Sequence, residues 1–328
     1  MKVLSVESKW IGITLDEFLA AHWPRIAKGR LRDLVRSNDI LVDGMKAKPS
    51  DKLRDGQIVI VEVDMSSLKE IKTHHLSLDV LYEDEHLVAV NKPAGIPVEP
   101  SRWGEHPLHL GGALLDWAER RQVEGPMEQR PRGLHRLDLG TSGVMLYALS
   151  IEAERYYREL LSSWMIEKTY HALVIGEIDQ SGIVDTAIAP DRARGGVMRI
   201  NDHGKPSLTE YKPLERFRGY SLIEAQPRTG RTHQIRVHMA SIGHPLVVDP
   251  RYGGAEGIFL SHIKSGYRPK KGQVEKPLMN RLTLHAKGVR MVPYGGGEEI
   301  EITADYPKDF RIVLDKLRRW RPSQESRY

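Results

Sequence analysis

The sequence predicts an α+β fold: a mixed, mainly antiparallel-sheet body preceded by a small α/β domain. From Asp79 onward, short β-rich runs follow one another: LDVLYEDEHLVAVNKPAG, GVMLYAL, EKTYHALVIGEI, SLIEAQP, THQIRVHMA and LTLHAKGV. Helical patterns such as 150–165 fall between some of them, without the strict strand-helix alternation that a doubly wound sheet needs. Ahead of this body, residues 12–63 hold two helical stripes and a small β element in one short stretch.

In the leading domain, Thr14-Leu-Asp-Glu17 has the pattern of a capping box, followed by Leu15, Phe18 and Leu19 at helical spacing. A second helix is predicted over 27–36, with Leu31, Leu34 and Val35 as its apolar stripe and Arg25, Lys28, Arg32 and Arg36 recurring along a basic face. Such a face is either a solvated surface or a row of phosphate contacts; its place in a compact module favours RNA. Asp43-Gly44 signals a two-residue hairpin, and a short strand, QIVIVEV, is entered through Asp55-Gly56. The expected division is a first domain over 1–64, a polar linker over 65–78, the body over 79–322 and a tail over 323–328. The segment 255–280 is a long connection carrying Lys264, Arg268, Lys270, Lys271 and Lys276, and the chain closes with a helix bearing Phe310, Val313, Leu314 and Leu317 on one side.

The 328 residues are 40% hydrophobic and 28% charged, enough to bury a sizeable core in about two or three domains. No apolar run reaches the ~18 residues of a membrane span, and the opening MKVLSVESKWIG lacks a signal-peptide core, so a soluble, cytoplasmic protein is expected; a monomer is expected as well. Cysteine is absent, which excludes disulfides, thiolate metal sites and cysteine nucleophiles. The formal charge of +5 and pI near 9.2 suit a polyanionic partner.

Two constellations carry the chemistry. In His135-Arg-Leu-Asp-Leu-Gly-Thr-Ser-Gly143, Asp138 sits on a turn before an apolar strand, a position that keeps a side chain both exposed and rigid. Read alone, Asp138 is better explained as an Asx-turn cap on the amides of Gly140 or Thr141. In Arg228-Thr-Gly-Arg-Thr-His-Gln-Ile-Arg-Val-His238, a strand is predicted from Thr232, with Arg231 at its mouth. On that strand His233 and His238 face opposite ways and lack a carboxylate at metal-ligand spacing, so no metal site is expected.

The ordered segments NKPAGIPVEP, HRLDLGTSG, EKTYHALV, GKPSLTEYKPLERF, TGRTHQIRVHMASIGHPLVVDPRYGG and RLTLHA resemble the RluA family of pseudouridine synthases across roughly 79–295. The leading domain resembles the αL-type RNA-binding domain of tyrosyl-tRNA synthetases and a small-subunit ribosomal protein, through LDEFL, the basic helix and the ILVDG ending. The resemblance implies an isomerase that turns uridine in structured RNA into pseudouridine, with Asp138 as catalytic carboxylate, Arg231 as its cationic partner and Tyr170 stacking on the flipped base. It further implies that Arg136 fills the vacated stack and that Leu284 lines the pocket under the base. No redox cofactor, metal or ATP is implied, since atoms are rearranged without net oxidation. Family members with such a leading module act on large-subunit ribosomal RNA, so that RNA is the expected substrate, with tRNA as the alternative. Two departures from the family pattern are noted: Leu139 and Gly140 stand where a charged pair is common, and Val247-Val248 precede Asp249 where a glycine is common. A non-catalytic RNA-binding or ribosome-assembly protein would not need Asp138, Tyr170 and Arg231 together, and a glycosidase would need a second carboxylate that the motifs lack.

Overall fold

The structure is a computed structural model, and it describes residues 1–71, 73, 75–99, 108–121, 131–269 and 272–323. Lys270, Lys271 and all of the tail beyond Ser323 lie outside these. The chain divides into two compact units, 1–76 with 99–131, and 77–98 with 132–328.

In the first unit, β1 (Lys2–Ser5), β2 (Ile40–Val42), β3 (Met45–Lys46) and β4 (Ile58–Val61) form a sheet in the order β1-β4-β2-β3. Helices α1 (Leu15–His22) and α2 (Lys28–Arg36) bury the two predicted stripes, with Leu15, Phe18, Leu19, Leu31 and Val35 fully shielded. Asp43-Gly44 closes the β2-β3 hairpin as expected. The capping box does not form: the Thr14 hydroxyl donates to Asp16 rather than capping the helix. Helix α3 (Leu110–Arg121), expected within the larger body, belongs to this first unit.

The second unit is built on one large sheet, mainly antiparallel. Its strands are β5 (Val80–Glu83), β6 (Leu87–Lys92), β7 (Arg132–Gly133), β8 (Ser142–Ala148), β9 (Glu167–Ile175), β10 (Gly182–Asp185), β13 (Leu208–Phe217), β14 (Tyr220–Pro227), β15 (Leu284–Met291) and β16 (Ile300–Thr303). The order is β10-β13-β14-β9-β15-β8-β6-β5, with β16 added to β15 and β7 to β8. The β15-β8 pair is parallel. A separate ribbon joins β11 (Ile188–Pro190) to β12 (Met198–Ile200). Helices α4 (Ile151–Ser162), α5 (Gln234–Ser241), α6 (Leu260–Ile263) and α7 (Lys308–Trp320) complete the unit.

Alternation along β9 and β14 gives the sheet two buried faces. Ala172, Val174, Ile223 and Ala225 pack with Ile235 and Met239 of α5, whereas Leu173 and Leu222 pack with Phe310, Val313, Leu314 and Leu317 of α7. The site lies on the α5 side.

One expectation is overturned here. Residues from Gln234 form helix α5, not a strand, and His233 enters it in the left-handed region at φ 57°. The sequence QIRVHM is buried all round the helix, so it shows no amphipathic period to distinguish a helix from a strand.

Candidate active site

Asp138 follows from how its loop is held. The Thr141 amide donates to the Asp138 carbonyl at 3.0 Å, closing a tight turn. The next carbonyl, Leu139 O, accepts from the Gly95 amide at 2.8 Å and from Lys92 Nζ at 3.4 Å. Lys92 is fully buried, and burial pushes its pKa down to about 8; the Asp138 charge opposes that shift and Arg281 adds to it. The strand after the turn lies unusually close to its neighbour: a Cβ at Gly143, where φ is +114°, would meet Ala286 O at 2.1 Å, so only glycine allows the parallel β8-β15 contact. Gly140 is also crowded, since a Cβ there would stand 2.9 Å from Leu282 Cγ, so a side chain at this position needs Leu282 to move.

The Asp138 carboxylate does not cap its own turn. Among the described residues its partners come from α5: Arg236 Nη1 donates to Oδ2 at 2.8 Å, and His233 Nε2 stands 3.8 Å from Oδ1. Arg236 also forks onto the fully buried Asp249, with Nε to Oδ2 at 2.6 Å and Nη2 to Oδ1 at 2.9 Å, and its guanidinium lies 4.9 Å from the Tyr252 ring centroid. Burial works to lower the Arg236 pKa, but the bonds and charges of Asp249 and Asp138 more than reverse it, and the net shift is upward. Tyr252 is fixed in turn by His233 Nδ1 at 2.7 Å and the Met198 amide at 2.8 Å. The DPRYGG motif thus supports the arginine that holds the carboxylate.

Asp138, His233 and Arg236 line a cleft of about 280 Å³, near the lower end of the ~300–1,000 Å³ range of small-ligand sites. Tyr170 on β9 and Leu284 on β15 share its apolar wall, two residues apart along paired strands, where Leu284 faces Ala172. The pKa of Tyr170 is raised, by burial first and by the Asp138 charge second, and its hydroxyl makes no protein hydrogen bond among the described residues. Arg136 is exposed at the rim, and its guanidinium bonds to no described residue. Among the described residues it forms no ion pair of the kind that marks an ordinary surface arginine.

Arg231 also lines the cleft, but its Nε donates to Pro206 O at 3.2 Å; the residue bonded to Asp138 is Arg236. Sequence reasoning gave Arg231 this role because the family resemblance implied it and because it stands at the mouth of the expected strand. It also passed over Lys168, half-buried in the cleft without a carboxylate partner among the described residues, whose pKa burial lowers.

In the first unit, the four basic residues all meet carboxylates. Arg25 forks onto Glu119 at 2.9 Å through both nitrogens, Lys28 pairs with Glu17, Arg32 Nε reaches Asp16 at 2.7 Å, and Arg36 reaches Asp33 at 2.9 Å. Arg25 lies before α2 begins, so it shares the unit but not the helix.

A carboxylate braced by an arginine beside a tyrosine and an apolar wall, on a mixed, mainly antiparallel sheet, fits the pseudouridine synthase class. The RNA pseudouridylate synthase family model matches residues 86–241. The chain is 33% identical over 307 residues to Ribosomal large subunit pseudouridine synthase D of Xanthomonas campestris, covering 94% of this chain and 89% of that protein. It is 32% identical over 322 residues to the protein of the same name from Escherichia coli, covering 96% and 93%. Human RNA Pseudouridylate Synthase Domain Containing 4 superposes with a TM-score of 0.55 at 26% identity, covering 73% of this chain and 92% of that one. Human RNA Pseudouridylate Synthase Domain Containing 1 gives 0.51 at 28% identity, covering 70% and 84%. The chain belongs to the RluA-type family of RNA pseudouridine synthases.

Proposed function

We propose that this isomerase converts specific uridines of structured large-subunit ribosomal RNA to pseudouridine, acting in the cytoplasm as a monomer without a metal or redox cofactor. The names of the similar bacterial proteins favour ribosomal RNA over tRNA. Among the described residues no helix is long and apolar enough to cross a membrane.

The observation that carries the reading is the Asp138-Arg236-Asp249 chain opening onto the cleft. The reaction breaks the bond from ribose to ring nitrogen, turns the base, joins the sugar to carbon 5 and releases the proton there. Arg236 orients the Asp138 carboxylate, which meets the sugar as positive character develops on it. Tyr170 and Leu284 bracket the flipped base. With its pKa raised, Tyr170 stays protonated at neutral pH and serves as a stacking surface and hydrogen donor rather than as a phenolate. Arg136 and Arg231 at the rim meet the RNA around the vacated stack, and Arg25, Lys28, Arg32 and Arg36 meet phosphates in competition with their carboxylates.

Asp138→Asn tests the assignment, because it keeps shape and removes charge. Single-turnover pseudouridine formation on transcribed ribosomal RNA should vanish while RNA affinity stays within a few-fold. Substantial product from the Asn variant would remove the carboxylate from the chemistry.

A further inference from the structure

The face of the second unit opposite the cleft carries a cluster that the isomerisation does not use. Near the end of α7, Lys316 Nζ lies 5.1 Å, Arg319 5.1 Å and Lys264 Nζ 5.3 Å from the centre of the Trp320 ring. Lys264 and Arg319 are exposed, and none of the three pairs with a carboxylate among the described residues. Carboxylates of α7 and of the segments around it are engaged elsewhere. Glu215 and Asp315 bind Arg318, and Glu275 accepts from the Ser261 amide.

A bland account is that basic residues complement the C-terminal end of the α7 dipole. That account covers Arg318 and Arg319 but not Lys264, which comes from the end of α6. The two elements are tied there by the Arg321 side chain, which donates from Nε to Ile263 O at 2.9 Å and from Nη2 to His262 O at 2.8 Å. A second arginine, Arg218, is anchored by its amide to Arg321 O at 2.8 Å. Trp320 packs against the α7 side of the core and is half-buried, so the ring is a fixed post around which three unneutralised cations are gathered. Like charges held this close repel one another, and a polyanion relieves that repulsion as it binds.

We propose that Lys264, Lys316 and Arg319 around Trp320 form a second phosphate-binding surface for the substrate RNA, on the sheet face opposite the Asp138 cleft. The proposal rests on the RNA-modifying function, and its occupant is the sugar-phosphate backbone of RNA beyond the hairpin that presents the target uridine. Phosphates match the cluster because it offers several point charges and no acceptor, a composition that reads backbone and not bases. An RNA long enough to reach round the unit gains both contacts; a short hairpin fills only the cleft.

The test uses the full chain and the triple variant K264Q/K316Q/R319Q, which retains Trp320. Binding is measured against salt for a transcribed domain of large-subunit ribosomal RNA and for a short hairpin carrying a target uridine. For the long RNA, the slope of log affinity against log salt should fall by ~2–3, with hairpin affinity and turnover at saturation unchanged. The charge-conserving variant K264R/K316R/R319K should keep the wild-type slope, which guards against loss of fold. An unchanged slope on the long RNA overturns the proposal, as does an equal loss on both RNAs. If the wild-type chain modifies neither RNA, the ribosomal RNA assignment fails, yet the slope comparison still decides the surface.

Discussion

Replacing Arg236 by Met separates its structural role from its catalytic one. Arg236 is 5% exposed and Asp249 0%, so the variant leaves the Asp249 carboxylate buried with its main partner gone. Breaking a buried pair from one side costs about 3–5 kcal/mol, most of it the desolvation of the stranded charge. At ~2 kcal/mol per molar urea, that lowers the midpoint of the unfolding transition by about 2 M. Arg236→Met with Asp249→Leu removes both charges, and an apolar pair of similar bulk should bring stability back to near wild type. Activity should not return with it. Asp138 has lost the bond that fixes its carboxylate, and a shift of ~1 Å can slow the chemistry by about 10²-fold. The assay is urea unfolding beside single-turnover pseudouridine formation on the three proteins. A double variant that is stable and turns over at the wild-type rate would refute the positioning role; a single variant as stable as wild type would refute the uncompensated charge.

Three further outcomes follow from neighbouring residues. Lys92→Met should abolish a pH dependence of stability. The folded pKa near 8 lies below the unfolded 10.5, so wild type gains up to ~3 kcal/mol as pH rises from 8 to 10.5, and the variant should not, while its loss of the Leu139 contact slows turnover. A pH slope equal to wild type would sink that account. His285 donates from Nε2 to Ala304 O at 3.2 Å and accepts at Nδ1 from Ser142 Oγ at 2.9 Å, and burial pushes its pKa down to about 4. Its stabilisation is present above pH 6.5 and is lost as pH falls toward 4, by ~3 kcal/mol; urea midpoints across that window should flatten in His285→Asn. Gly140→Asp should destabilise by ~1–3 kcal/mol, because its Cβ meets Leu282, and Leu282→Ala should recover part of that loss in thermal melts. Additive losses from the two substitutions would show that the contact does not matter.

The sequence by itself determined the sheet-rich body, the two short helices of the first unit, and Asp138, Tyr170 and Leu284 as parts of one site. Local physics suffices for the elements alone: short β-rich runs mark β8, β9 and β15, and helical stripes mark α1 and α2. The motif order then joined loop and strands into a recognisable family. Only the tertiary structure decided which arginine serves Asp138. Around Arg236 every residue from Gln234 to Met239 is buried, so a helix and a strand leave the same apolar signature, and the choice between them changes which side chain meets the loop. The structure likewise decided that Asp249, 111 positions beyond Asp138 in the chain, braces that arginine, and that Leu282 crowds position 140. Contacts of this range depend on where β8, β15 and α5 converge, and a linear pattern carries no record of that convergence.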